Sequence, residues 1–192
     1  MIPLMTISTP MPAPTDKPIH EPNHKLNPEL DAEALYTELA GRITAALGRI
    51  DRLALVGIYS GGAWLAQRLA HQMQLEHRLG FIDVSFYRDD YAEKGLHAEV
   101  RPSKIPFDVE GATILLVDDV LYTGRTTRAA INELFDYGRP ARIMLATLID
   151  RGGRELPVAP DFVAASVTLA AGQSLTLQQA ADGGLSLTVT HA

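Results

Sequence analysis

The chain has 192 residues, 46% of them hydrophobic and 21% charged, with a formal net charge of −6. That length suits one domain with a sizeable core, and the acidic balance argues against a protein that coats nucleic acid with a basic surface. No cysteine is present, which excludes disulfides, thiolate nucleophiles and thiolate zinc sites and suits a reducing cytoplasm.

The stretch 1–28 holds prolines at 3, 10, 12, 14, 18, 22 and 28, so it predicts a disordered tail ahead of a domain over 29–192. It lacks the basic region and apolar core of a secretion signal, and no run reaches the ~18 apolar residues of a membrane span. In "NPELDAEALYTELAGRITAALGRI", Asn27 is the expected N-cap and Pro28 the first helical residue. Leu35, Leu39, Ile43, Ala46, Leu47 and Ile50 recur at helical spacing to about residue 48. "LALVGI" (53–58) is an apolar run of strand length, "YSGG" a turn, and "AWLAQRLAHQMQLEH" (63–77) a second helix. "FIDVSFYRDD" (81–90) alternates Ile82, Val84 and Phe86 inward, as a half-buried strand does. Residues 91–106 show no period and predict a long loop or a mobile hairpin, of a length often used for lids.

"TILLV" predicts a strand that ends in two adjacent aspartates, followed by a helix over 126–137 and a strand over 142–149. Strands alternating with helices imply a mostly parallel sheet covered on both faces. "RGGRELPVAPDF" reads as loop, and "LTLQQ" and "LSLTVT" around "ADGG" as a terminal hairpin.

Open α/β sheets bind ligands beyond the carboxyl ends of their strands. Asp118 and Asp119 fall there, followed by "VLYTGRTT". The backbone amides from Tyr122 through Gly124 to Thr127, the hydroxyls of Thr123, Thr126 and Thr127, and Arg125 surround a helix N-terminus. Together they form a cradle for a phosphate monoester. The spacing is not that of a P-loop, and no lysine serves a second phosphate. Two carboxylates would repel such a ligand unless they gripped hydroxyls or a metal, and a ribose 5-phosphate satisfies both demands. The bland alternative makes the aspartates caps and the threonines turn formers. Histidines 20, 24, 71, 77, 97 and 191 form no recognisable metal set, and Trp64 reads as core or subunit-interface packing.

"VDDVLYTGRTTRAA" resembles the phosphoribosyl-pyrophosphate motif of type I phosphoribosyltransferases. With "FYRDD", "IPFDVEG" and "DRGGRELP" in order, the chain is similar over about residues 25–170 to one branch of that family. That branch comprises pyrimidine-operon regulators that are also uracil phosphoribosyltransferases. The resemblance implies an α/β fold with a central parallel sheet flanked by helices, a flexible flap over 91–106 and a small hood over the base. It implies Mg²⁺-dependent displacement of pyrophosphate by uracil, giving UMP. Asp118 and Asp119 would hold the ribose hydroxyls and Tyr122 to Thr127 the 5-phosphate. Arg88 would act at the reacting centre, with Asp89 and Asp90 on the metal side.

Ser60, Gly61 and Gly62 would form the pyrophosphate loop, where the family usually reads Thr-Arg-Gly. The lost arginine opens the alternative of a UMP- or UTP-sensing regulator with little or no transferase activity. Arginine restored at position 61 is then expected to raise turnover if the loop accepts it, unless Arg88 or Lys104 already replaces the charge. Gly153 stands where the family usually has histidine. The regulated partner implied is an mRNA leader, with Arg151 and Arg154, and also Arg139 and Arg142, as candidate contacts; solubilising surface arginines are the competing reading. A transferase for another base is a third reading. A homo-oligomer, dimer or tetramer, is expected, with no membrane partner.

Overall fold

Helix α1 (Ala32–Leu47) starts later than Asn27 and Pro28 suggest, because Asp31 caps it. Its carboxylate accepts the amides of Glu33 and Ala34 at 3.0 and 3.1 Å, satisfying two donors that a helix start leaves orphaned. The computed structural model describes residues 30–84 and 102–191, so Asn27 and the proline-rich stretch lie outside it.

Strand β1 (Leu53–Ile58) is wholly buried, as its apolar run requires. Helix α2 (Gly61–Met73) begins two residues ahead of the predicted start and ends short of His77. Gln74 takes a left-handed conformation at φ 58° and turns its amide back onto Ala70 and His71, closing the helix. A 3-10 turn (Glu76–Arg78) leads into strand β2 (Leu79–Ile82). Phe86, Arg88, Asp89, Asp90 and most of the predicted flap lie outside the described residues. The end of that stretch is anchored: Phe81 and Lys104 exchange both backbone hydrogen bonds at 2.8 Å, and the Ser103 hydroxyl accepts from the Asp83 amide. The loop predicted to run to 106 therefore rejoins the sheet edge before its expected end.

Strand β3 (Thr113–Leu121), helix α3 (Arg125–Asp136) and strand β4 (Arg142–Asp150) follow as expected in order and type. Strand β5 (Phe162–Ser166) was not legible, since "FVAAS" is short, half-buried throughout and shows no alternation. The antiparallel hairpin β6 (Gln173–Gln179) and β7 (Leu185–His191) matches its prediction. The main sheet runs β2-β1-β3-β4-β5, all parallel. The chain leaves β1 toward β2 and returns to β3 on the other side, so β1 and β3 flank the topological switch point.

α1, α2 and the hairpin cover one face, where Ile43, Leu65, Leu69, Leu175 and Leu177 meet Leu55 and Leu115, with Trp64 packed against them. α3 covers the other, where Ala130 and Leu134 meet Val56, Ile114 and Leu116. Two covered faces explain why these strands read as continuous apolar runs.

A latch holds the hairpin. Arg68 on α2 donates to both oxygens of Glu33 on α1 at 3.0 and 2.8 Å. Its guanidinium lies 4.4 Å from the Tyr36 ring centre, and Glu33 also accepts the Leu185 amide. The hydrogen bond from Arg68 holds the Glu33 carboxyl below its usual 4.5. A lowered carboxyl pKa contributes stability above the unfolded value, and that contribution disappears as pH falls through the folded value. Glu33→Gln is expected to cost about 1 kcal/mol at neutral pH for this half-exposed pair. The gap in Tm between variant and wild type should close on acidification; a gap unchanged at pH 3 would contradict the latch.

Candidate functional site

Asp118 and Asp119 lie inside β3, not beyond its end. β1 stops pairing at Gly57–Val117, while β4 continues to pair Asp118 with Thr147, Val120 with Ile149 and Leu121 with Asp150. The apolar run ends where one neighbour departs, and the second neighbour keeps the strand extended. Asp118 and Asp119 are only 5% and 7% exposed. The Asp119 amide donates to Asp118 Oδ1 at 3.0 Å, and the Asp119 carbonyl accepts the Thr147 hydroxyl at 3.2 Å.

The first turn of α2 rests directly on this acidic pair. A Cβ added at Gly61 would sit 2.5 Å from Asp119 Cγ and 2.7 Å from its Cβ. One added at Gly62 would sit 2.9 Å from Asp118 Cα and closer still to the Val117 carbonyl. Glycine is required at both positions by close approach. Ser60, at the helix start, makes no side-chain cap bond, and the Tyr59–Ser60 peptide is cis.

The loop after β3 turns at Gly124, whose φ of 90° favours glycine. Thr123 is buried, and its hydroxyl accepts the Arg125 amide at 3.3 Å. Thr126 is half-buried at the start of α3. Thr127 differs from expectation. It is fully buried, with a hydroxyl that has no hydrogen-bond partner. Thr123 and Thr126 are the loop hydroxyls that lie nearer the surface or bond within the loop. Arg125 is half-exposed and its guanidinium is engaged by Glu155, through Nε at 2.9 Å and through Nη2.

Tyr122 is exposed, with the Arg151 guanidinium 3.9 Å from its ring centre. Gly153, at φ 72°, would put a Cβ 3.0 Å from Tyr122 Cδ2 and closer still to Cε2. The left-handed φ favours glycine at 153, and the exposed Tyr122 ring lies in the space a side chain there would enter.

The four candidate RNA arginines do not share a surface. Arg139 and Arg142 lie at the amino ends of β3 and β4; Arg142 reaches Asp161 at 3.7 Å. Arg151 and Arg154 lie at the carboxyl ends, facing inward: Arg151 donates to the Gln173 carbonyl and Arg154 to Asp150 and to carbonyls of the loop. Glu155 and Asp150 were the partners that sequence reasoning missed. Both fall in the quoted "DRGGRELP", but their roles depend on β4 ending beside β3.

Among the described residues no three histidine, aspartate or glutamate side chains gather to hold a metal. Asp118 and Asp119 offer oxygen donors of the kind Mg²⁺ takes alongside substrate phosphates.

A profile of the phosphoribosyl transferase domain family matches residues 26–175. The bifunctional protein PyrR of Ralstonia nicotianae is 52% identical over 157 residues, covering 81% of this chain and 90% of that one. A protein of the same name from Pseudomonas fluorescens is 47% identical over 146 residues, covering 75% and 87%. Among solved structures, hypoxanthine phosphoribosyltransferase from Trypanosoma cruzi, in a ternary complex with substrates, superposes with a TM-score of 0.55. It is 26% identical, covering 74% of this chain and 82% of that one.

Proposed function

The chain belongs to the phosphoribosyl transferase domain family, and from that premise we propose that it converts uracil and phosphoribosyl pyrophosphate to UMP and diphosphate and regulates pyrimidine genes in response to UMP or UTP. One observation carries this reading: two helix N-termini, of α2 and α3, bracket a buried acidic pair at the switch point. On this reading the donor would span the site from end to end. The first-turn amides of α3 with Thr123 and Thr126 take the 5-phosphate. Asp118 and Asp119 take the ribose hydroxyls, and Ser60, Gly61 and Gly62 take the pyrophosphate.

The bond from C1′ to the pyrophosphate oxygen breaks, the oxygen keeps the electron pair, and uracil N1 bonds to C1′ as its proton leaves. Such a displacement needs positioning and charge stabilisation rather than a nucleophilic side chain. Asp118 and Asp119 have the oxygen donors that would hold Mg²⁺, which would supply charge stabilisation for the leaving pyrophosphate. Arg88 keeps its proposed place at the reacting centre, Asp89 and Asp90 theirs on the metal side, and residues 91–106 theirs as the flap.

Gly61 favours a second reading, a nucleotide sensor with little turnover. A missing charge-assisted hydrogen bond is worth about 1.5–3 kcal/mol, or roughly ten- to more than a hundredfold in rate. Incubation with uracil, phosphoribosyl pyrophosphate and Mg²⁺, with calorimetry of UMP alongside, separates the two. UMP binding without turnover selects the sensor; neither binding nor turnover sinks both.

Thr123→Ala is expected to weaken UMP by about 1–3 kcal/mol, since a buried hydroxyl facing the phosphate is lost. Arg125→Ala should cost less, about 1 kcal/mol, because Glu155 already shares that guanidinium. Undiminished affinity in both variants would remove the phosphate from this loop. The regulatory half is tested by retention of a pyrimidine-gene leader transcript, which should weaken steeply with salt. No retention at low salt would leave only the transferase. A cytoplasmic dimer or tetramer completes the proposal, the assembly being checked by sedimentation.

A further inference from the structure

We propose that Arg154, fixed by Asp150, is a positioning residue that aims the amides of the phosphate loop; this rests on reading the loop as the 5-phosphate site. Arg154 is 23% exposed and Asp150, the last residue of β4, 13%. Arg154 Nη2 donates to Asp150 Oδ2 at 2.6 Å, and Nε donates to the Val158 carbonyl at 3.0 Å. Nη1 reaches the Tyr122 carbonyl at 2.8 Å and the Leu121 and Gly152 carbonyls at 3.4 Å. Asp150 Oδ1 accepts the Gly152 amide at 2.9 Å, so the carboxylate is itself held. One residue further along the loop, the Thr123 carbonyl accepts the amides of Glu155 and Leu156 at 3.0 and 3.1 Å.

Three consecutive carbonyls, of residues 121, 122 and 123, are thus drawn toward the segment 150–158. In a planar trans peptide the N–H points opposite to the C=O of the same unit. Pulling those carbonyls one way turns the amides of Tyr122, Thr123 and Gly124 the other way, as a convergent set on the side where the phosphate would sit. Val158 closes the back of the turn: a Cβ at Gly124 would lie 3.3 Å from it. Only a forked, planar cation can reach the Asp150 carboxylate, Val158 and Tyr122 at once; an ammonium at the end of a lysine cannot.

The test compares wild type with Arg154→Lys and Asp150→Asn by calorimetry with UMP and with uridine, which lacks the phosphate, and by thermal melting. Arg154→Lys is expected to lose about tenfold in UMP affinity. Its uridine affinity should stay within about twofold. A purely structural role would weaken both ligands together. Asp150→Asn keeps the shape but removes the charge and one of the two acceptors, so its NH2 must face either Arg154 or the Gly152 amide, and a loss of about tenfold for UMP alone is expected; it decides the matter if Arg154→Lys does not fold. UMP affinity unchanged in the folded variants, or equal losses for UMP and uridine, would overturn the proposal. If Thr123→Ala also leaves UMP affinity intact, the reading of the loop as a phosphate site falls instead.

Discussion

Gly61→Ala is expected to cost at least tenfold in affinity for phosphoribosyl pyrophosphate and about 1–3 kcal/mol in stability, although it adds one methyl group. The added Cβ would meet Asp119 at Cγ and at Cβ, 2.5 and 2.7 Å away. Turning the carboxylate relieves the first contact but not the second, because the Asp119 Cβ is fixed by β3. That strand is itself held by β1 up to Val117 and by β4 through Leu121. Relief must come from α2 lifting off the strand, which moves the first-turn amides proposed for the pyrophosphate away from Asp118 and Asp119. Gly61→Arg meets the same obstacle before its guanidinium can help. The expectation that arginine at 61 raises turnover therefore reverses: kcat/KM should fall for both variants. Arginine above wild type with alanine below it would show that the loop opens at little cost, and the packing argument would fail.

The reach of the sequence into this site can be traced residue by residue. The β-α-β alternation, the acidic pair and the glycine–hydroxyl loop were legible because each is local: a period of burial, a charge at the end of an apolar run, a turn that only glycine permits. Asp31 was within reach too, since an aspartate ahead of Glu33 and Ala34 is as good a cap as Asn27. The clasp of Asp150, Arg154 and Glu155 was not legible, because it exists only once β4 has been laid beside β3 in the observed register. Arginines in a loop read as surface from sequence; here Arg151 stacks on Tyr122 and Arg154 turns inward. Thr127 belongs to the motif by spacing, yet its hydroxyl is fully buried with no hydrogen-bond partner, a placement that spacing alone does not reveal.

Asp119→Asn is expected to separate stability from function. Asp118 and Asp119 are only 5% and 7% exposed, and burying a charged group costs stability in the absence of a ligand. Asparagine has nearly the same shape and can occupy the same space beside Gly61. Removing one charge should leave Tm unchanged or raise it. Ligand binding should move the other way: a charge-assisted hydrogen bond to a ribose hydroxyl is worth about 1.5–3 kcal/mol, so UMP affinity should fall roughly ten- to more than a hundredfold. Phosphoribosyl pyrophosphate with Mg²⁺ should lose more than UMP if, as proposed, the carboxylate also serves the cation. Asp118→Asn should lose less. Asp118 Oδ1 already accepts the Asp119 amide, and an asparagine oxygen can keep that bond. A lower Tm with undiminished affinity in Asp119→Asn would mean that the pair is a structural element of β3. The ribose would then have to be held elsewhere.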